Sequence, residues 1–320
     1  MPATAPLLDL LADLRAQLAG GATELVIQVL DPDRGRGRYP GEPVEVDGVA
    51  YVHRPLRLWV ELAERIGLRL LTPRPAAPPL IELRFEVTPF VPSGARPKGA
   101  RSRGTRTDVT EKYGVDSDFA RISKLEEPAF VIDFAEALAR VPLPPAPRVL
   151  DLGVNRGDEL ALMRAVDPRL AGARFTGVDH SASALARARA RFPDAALIEA
   201  DLGAIAALDL GEHDLVVCIG TLQSPGIDDR ELLRHVVQRR LAPGGSLILG
   251  FPNCRYLDGE VQHGTRMVNF REPELGLLVK DIAFYRKYLQ QHRRQVHVTG
   301  SRYLLVTAIP IQPTTDETRR

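Results

Sequence analysis

The chain has 320 residues, of which 44% are hydrophobic and 26% charged, and its formal net charge is +1 at pH 7. These values are typical of a globular protein with room for two domains. They exclude a chain that binds nucleic acid or an anionic membrane through net charge alone. Two cysteines exclude a disulfide framework, and neither a secretion signal nor a membrane-spanning apolar run is present, so a cytoplasmic location is expected.

The first 90 residues predict a small α+β domain. Leucine spacing indicates an amphipathic helix, alternating apolar residues indicate strands, and the Asp47-Gly48 pair predicts a hairpin turn. The predicted elements are helix 6–19, strand 24–30, hairpin 44–52, a helix from Pro55 to Ile66 and strand 80–87. No pattern of catalytic residues appears among them.

A basic segment follows, with five cations and no acidic residue between positions 89 and 107. The cations are Arg96, Lys98, Arg101, Arg103 and Arg106. Two interpretations stay open, because charge runs are usually solvated loops but also form anion-binding arms for RNA or a phosphorylated substrate. No aromatic residues alternate with these cations, which disfavours the stacking of single-stranded bases.

Residues 147–158 carry the pattern around which the rest of the chain is organised. A short apolar run ends at Gly153, a tight turn reaches Gly157, and a helical pattern begins at once. A nucleotide-binding βαβ unit opens in this way. Asp179 ends the next apolar run, 22 residues after Gly157. That is close to the spacing at which an acidic side chain meets a ribose hydroxyl.

The turn departs from the dinucleotide fingerprint Gly-x-Gly-x-x-Gly. Counted from Gly153, the second and third glycine positions hold Asn155 and Asp158. Asn tolerates a left-handed backbone, so the turn is still expected to form. A carboxylate at the head of the helix would repel a pyrophosphate, which disfavours an NAD-dependent enzyme. S-adenosylmethionine lacks phosphate and carries a sulfonium, an ammonium and hydroxyl groups, so it fits better.

The same stretch resembles the first motif of the class I (seven-stranded) S-adenosylmethionine-dependent methyltransferases. That motif is typically acidic-x-Gly-x-Gly-x-Gly. Asp151, Gly153 and Gly157 stand at the matching positions, and Asn155 replaces the middle glycine. The resemblance spans about residues 110–312.

The order of elements agrees with this resemblance. From residue 147 onward strands and helices alternate, and the chain closes with a hairpin over 295–309. We therefore predict an α/β fold with a doubly wound, mostly parallel seven-stranded sheet that ends in an antiparallel hairpin, and a smaller N-terminal α+β domain. The predicted boundaries are 1–90 for the N-terminal domain, 91–127 for a basic linker and cofactor-covering segment, 128–312 for the methyltransferase domain and 313–320 for a disordered tail.

The resemblance implies S-adenosyl-L-methionine as the cofactor, bound at the carboxyl ends of the strands. Asp179 would take the ribose hydroxyls, Asp151 would act near the methionine ammonium, and Asp201 would accept from the adenine amino group. Asp201 also has a second interpretation as a helix cap. The implied cofactor-binding residues are Asp151, Gly153, Asn155, Gly157, Asp179, His180, Asp201, Leu202, Ile219 and Gly220.

The methyl acceptor is expected beyond the fourth and fifth strands, because the adenosine half would occupy the second and third. The polar residues predicted to position it are Thr221, Gln223, Asn253 and Tyr256, joined by Tyr113 from the covering segment. Direct in-line transfer requires alignment and no covalent intermediate.

The near-neutral charge favours a small-molecule acceptor. An RNA acceptor (tRNA or rRNA) and a non-catalytic binding protein on the same fold stay open as alternatives. Neither a membrane nor a metal ion is expected as a partner, and the sequence leaves the oligomeric state open.

Overall fold

The computed structural model describes residues 4–34, 37–87, 123–224, 226–257, 260–263 and 275–311. The basic residues 96–106, Tyr113 and the predicted tail 313–320 lie outside the described residues. The described chain divides into two compact units: the first takes the residues before 133 together with 254–263, and the second takes the remainder. The domain boundaries stated above stay a prediction.

The first unit is an antiparallel sheet with two helices. Its elements are α1 (Leu7–Ala19), β1 (Glu24–Leu30), β2 (Pro43–Val46), β3 (Val49–Val52), α2 (Leu56–Arg65), β4 (Leu68–Leu70), β5 (Arg74–Pro75) and β6 (Leu80–Val87). β6 is central and pairs with β1, β4 and β5. β2 and β3 form the predicted hairpin, in which Asp47 (φ 52) and Gly48 (φ 76) both adopt left-handed backbone.

A buried carboxylate joins distant parts of this unit. Glu126, in a short 3-10 turn over Lys124–Glu126, accepts the backbone N–H of Leu7 through Oε1 (3.3 Å) and the Nε of Arg54 through Oε2 (2.7 Å). α1 has no side-chain cap of its own, so Glu126 supplies one of the acceptors that its first turn lacks. The guanidinium of Arg54 also lies over the fully buried ring of Trp59, 5.7 Å from its centroid.

The second unit alternates strands and helices. The further elements of the chain are α3 (Pro128–Ala139), β7 (Arg148–Leu152), α4 (Asp158–Val166), β8 (Arg174–Asp179), α5 (Ala182–Arg191), β9 (Ala196–Glu199), β10 (His213–Ile219), α6 (Asp229–His235), β11 (Leu241–Pro252), β12 (Cys254–Leu257), β13 (Glu260–His263), α7 (Leu275–Gln291), β14 (Arg294–Thr299) and β15 (Tyr303–Pro310). The hairpin of β12 and β13 belongs to the first unit and was not predicted from the sequence.

The seven strands of the second unit are ordered β9-β8-β7-β10-β11-β15-β14. All neighbouring pairs are parallel except those of β15, which runs antiparallel to both β11 and β14. The predicted mostly parallel seven-stranded sheet with a terminal antiparallel hairpin is therefore confirmed. The chain builds outward from β7 to β9 and then returns to the other side of β7 as β10. The crevice between β7 and β10 is thus the topological switch point, where open α/β sheets bind ligands.

Burial on both sides explains why the central strands are nearly continuous apolar runs. On one face, residues of β7, β10 and β11 pack against α6 and α7 in a single cluster. Phe251 at the end of β11 stacks on Tyr285 of α7, with ring centroids 5.3 Å apart. The hydroxyl of Tyr285 donates to Asp229 Oδ2 at 2.6 Å. No helix in the described part of the chain is long and apolar enough to cross a bilayer.

Candidate functional site

The ends of β7 and β10 are tied together at the switch point. Thr221 Oγ1 donates to the carbonyl oxygen of Leu152 at 3.1 Å. Gly153 lies against it with φ 84, and a Cβ added there would stand 2.1 Å from Thr221 Oγ1. Only glycine fits this position, because any side chain would need both a disfavoured backbone and the space that the threonine fills.

Every backbone N–H group of the turn that follows β7 donates to another group of the protein. Asn155 (φ 46) and Gly157 (φ 82) adopt left-handed backbone, as expected of a glycine-type turn. The N–H groups donate as follows: Gly153 and Val154 to Val178 O (2.8 and 3.2 Å), Asn155 to Asp179 Oδ2 (2.8 Å), Arg156 to Asn155 Oδ1 (2.9 Å) and Gly157 to Val154 O (2.8 Å). A dinucleotide turn must offer free N–H groups to the pyrophosphate. Residues 153–157 have none to offer.

Asp158 does not act as the repelling carboxylate that the sequence suggested. Its side chain is 8% exposed and is held between two arginines, with Oδ2 3.2 Å from Arg156 Nε and Oδ1 2.9 Å from Arg191 Nη1. Two guanidinium groups compensate its charge, so the argument from repulsion is wrong. The engaged N–H groups of the turn disfavour a dinucleotide on a different physical ground.

Asp179 links the end of β8 to the turn and keeps capacity for a ligand. Its Oδ2 accepts from the backbone N–H of Asn155, and its Oδ1 accepts from that of Ser181 at 2.9 Å. Each carboxylate oxygen can accept a second hydrogen bond. His180 stands beside it, with a 63% exposed side chain and Nδ1 3.6 Å from Asp179 Oδ1.

Asp201 follows β9 and caps the 3-10 helix over Leu202–Ala207. Its Oδ1 accepts from the backbone N–H of Gly203 at 2.8 Å, so the capping interpretation is confirmed. Among the described residues, nothing donates to its Oδ2. Asp201 is exposed at the sheet edge, whereas Leu202 beside it is buried.

Three carboxylates therefore lie at or near the ends of three adjacent strands: Asp151 one residue before the end of β7, Asp179 at the end of β8 and Asp201 after β9. Adjacent strands are about 4.8 Å apart, so the row extends roughly 10 Å along the sheet edge. Glu159, fully buried in the first turn of α4, adds a carboxylate that the sequence analysis missed. Two of these carboxylates affect the thiol of Cys218. Burial and the charge of Asp151, with a smaller contribution from Glu159, raise its pKa to about 12.

Part of the chain is similar in sequence to known methyltransferases. Residues 150–247 match the sequence model of a methyltransferase domain. Trans-aconitate 2-methyltransferase of Paracidovorax citrulli is 40% identical over 120 residues, which cover 38% of this chain and 44% of the relative. The same enzyme of Escherichia coli K12 is 37% identical over 121 residues, 37% of this chain and 44% of the relative. These matches support the predicted resemblance to the class I S-adenosylmethionine-dependent methyltransferases. The match spans less than half of these curated relatives.

The methyltransferase cofactor is S-adenosyl-L-methionine, and the donor chemistry of the site fits it. The cofactor presents hydroxyl, amino and ammonium hydrogens, and the strand ends present carboxylate acceptors. Ile219 ends β10 on the other side of the switch point, and the N–H of Gly220, the next residue, donates to Gly250 O at 2.7 Å. The assignment of individual cofactor-binding residues stays a prediction.

The structure describes four of the five residues predicted to position the methyl acceptor, and their role stays a prediction. Asn253 follows β11, where its Nδ2 donates to Ser301 O at 3.1 Å and its N–H to Arg302 O at 2.7 Å. Thr221 and Gln223 follow β10 and are half-buried. Tyr256 lies in β12 of the first unit, and Tyr113 lies outside the described residues. Among the described residues, no group of three metal-ligating side chains occurs.

Proposed function

We propose that this chain is an enzyme that binds S-adenosyl-L-methionine at the carboxyl ends of β7 to β10 and transfers its methyl group directly to a small molecule. The observation that supports this most strongly is the switch-point turn itself. It offers no N–H to a phosphate, yet it lies beside a row of carboxylates suited to a cationic ligand rich in hydrogen-bond donors.

Each strand end has a role in this proposal. Asp179 accepts from the ribose hydroxyls through the second acceptor position of each oxygen. Asp151 attracts the methionine ammonium, and the turn from Gly153 to Gly157 passes beneath the methionine part. Asp201 accepts from the adenine amino group through its Oδ2. Leu202, His180, Ile219 and Gly220 complete the binding surface.

The chemistry required of the acceptor side is modest. The sulfonium supplies an activated methyl group, so the chain must align a nucleophile with it and exclude water. The described residues after β10 and β11, 219–224 and 251–253, contain no side chain that titrates near neutral pH. A general base is needed only when the nucleophile keeps its proton. An acceptor that is already ionised, such as a carboxylate, therefore suits this end of the sheet.

The names of the relatives point the same way, since they specify trans-aconitate as the acceptor. Less than half of each relative is matched, so this acceptor transfers to the chain only as part of the proposal. Thr221, Gln223, Asn253 and Tyr256 would position the acceptor, with Thr221 acting through the β7–β10 tie that its hydroxyl already makes.

The proposal is tested in two steps. Calorimetry should show binding of S-adenosylhomocysteine and none of NADH. Transfer of a radiolabelled methyl group is then assayed with trans-aconitate, a panel of other small carboxylic acids and bulk RNA. Labelled carboxylic acid supports the proposal, and label in RNA alone replaces it with the RNA alternative. Binding of NADH without S-adenosylhomocysteine refutes it, and cofactor binding with no transfer to any acceptor favours the non-catalytic alternative.

A further inference from the structure

The last turn of α5 is bonded to the turn from Gly153 to Gly157 that follows β7. Arg191 Nη1 donates to the carbonyl oxygen of Arg156 at 2.7 Å and to Asp158 Oδ1 at 2.9 Å. One guanidinium therefore joins the backbone of the turn to the first residue of α4. Asp158 in turn accepts from Arg156 Nε at 3.2 Å, so the three side chains form one connected bridge.

Phe192, the next residue, supports the same turn by packing. A Cβ added to Gly157 would lie 2.6 Å from its Cε2, so the ring occupies the space beside this left-handed glycine. Phe192 is itself buried and covered by guanidinium groups, with Arg164 and Arg191 5.3 and 5.2 Å from its centroid. Arg164 also lies over Phe175 and is bonded to Asp194. The ring is therefore held in place on several sides.

This outside support matters because of how the turn is built. Asn155 is a non-glycine residue with φ 46 where the family's motif has its middle glycine, and left-handed backbone is disfavoured for a residue with a Cβ. The N–H groups of the turn are bonded within the second unit, and the Arg156 carbonyl accepts from Arg191. A ligand that binds a preformed turn does not have to order it, and its affinity rises accordingly.

We propose that Arg191 and Asp158 are a positioning pair that holds the turn from Gly153 to Gly157 in its cofactor-binding conformation. This rests on the proposed function, because it concerns the same site. Arg191 acts through the Arg156 carbonyl and the carboxylate of Asp158, and Phe192 closes the turn against Gly157. The pair stabilises a turn conformation that the middle glycine of the family's motif would adopt without strain.

The experiment compares R191A, R191K, D158N, the double variant D158N/R191A and the control R187A. Arg187 is exposed one helical turn before Arg191 on α5. R191A and D158N should each weaken S-adenosylhomocysteine binding about tenfold and raise KM for S-adenosylmethionine similarly, with kcat at saturating cofactor within about twofold. R191K should recover part of the affinity, since lysine keeps the positive charge and the donors but its ammonium reaches less far than the guanidinium nitrogen Nη1, which makes both bonds. R187A should match the wild type within about twofold.

Because the two residues act as one unit, the double variant should lose no more affinity than the weaker-binding single variant. Melting temperatures are measured alongside. A fall in melting temperature with unchanged affinity and KM shows a merely structural pair and overturns the inference, as does an R191A effect no larger than that of R187A. If R191A does not fold, the affinity and KM of D158N and R191K are compared with those of R187A in its place. A wild type that does not bind S-adenosylhomocysteine refutes the proposed function as well, which distinguishes the two failures.

Discussion

At the scale of single residues, Asp179 has two tasks. Its carboxylate bonds the backbone N–H groups of Asn155 and Ser181, and its second acceptor positions are proposed to take the ribose hydroxyls. A single side chain thus couples the shape of the turn to the binding of the ligand. Asp201 caps the 3-10 helix over Leu202–Ala207 and has no bond to the turn among the described residues, so the loss of Asp179 should matter more than the loss of Asp201.

Replacing Asp179 with Ala should weaken S-adenosylhomocysteine binding by about 1–3 kcal/mol, the usual effect of removing a buried hydrogen-bond partner. Calorimetry measures the loss. The matched control is D209A, because Asp209 is an exposed acid that precedes β10. Equal affinities for D179A and wild type would remove Asp179 from the cofactor site.

Gly153 is constrained by both backbone and space. G153A should lower the free energy of unfolding by about 2 kcal/mol or more, because the new Cβ meets Thr221 and left-handed backbone is disfavoured for alanine. G211A is the control: Gly211 has φ 69 and nothing within 4 Å of an added Cβ, so it reports backbone strain alone. Chemical denaturation measures both variants, and T221A should relieve part of the G153A loss. If G153A costs no more than G211A, the steric contact is unimportant.

At the scale of elements, β10 begins with a buried histidine. Burial, followed by the charge of Arg148, lowers the pKa of His213 to about 4 from its ordinary value of 6.5. The imidazole is therefore neutral in the folded protein near neutral pH, whereas an unfolded chain would take up a proton below pH 6.5. The strand thus contains a group that favours unfolding as the pH falls.

The stability of the wild type should decrease as pH falls from about 6.5 towards 4, because the unfolded state binds more protons over that window. Replacing His213 with Asn should flatten this part of the curve of unfolding free energy against pH, although it lowers stability at pH 7. Urea titrations at several pH values measure the slopes. A variant whose slope matches the wild type between pH 4 and 6.5 would show that another group takes up the proton.

At the scale of the whole molecule, the formal net charge of +1 gives no general attraction for polyanions. The cations at 96–106 are the RNA-binding candidate that the sequence analysis identified. The proposed small-molecule acceptor does not require these cations, so they separate the two acceptor classes.

The triple variant R101A/R103A/R106A should therefore methylate its small-molecule acceptor at a rate within about twofold of the wild type. It should also show no change in the salt dependence of RNA binding, since no phosphate contacts would be lost. Filter binding at several salt concentrations and the transfer assay measure the two quantities. A large fall in RNA affinity with a flatter salt dependence would favour the RNA alternative.

Local sequence determined the elements of this protein and the chemistry of its strand ends. β1 and β6 occupy the predicted ranges, and the Asp47-Gly48 turn formed, because apolar periodicity and turn residues act through neighbours in the chain. The apolar run and its spacing from Gly157 predicted that a strand ends at Asp179, as β8 does, since one βα unit has a nearly constant length. Asn155 adopts the left-handed backbone that asparagine was expected to tolerate.

Only the tertiary structure decided how distant residues complete the site. The tie from Thr221 to Leu152 joins residues 69 positions apart, and the bonds of Arg191 to the turn join residues more than 30 positions apart. Asp158 was misread for this reason: its two arginine partners are set by the packing of α5 beside α4. The position of β15 between β11 and β14 likewise depends on which strands pair in the folded sheet. A single sequence specifies local backbone preferences, whereas contacts between separated segments depend on which surfaces the folded sheet brings together.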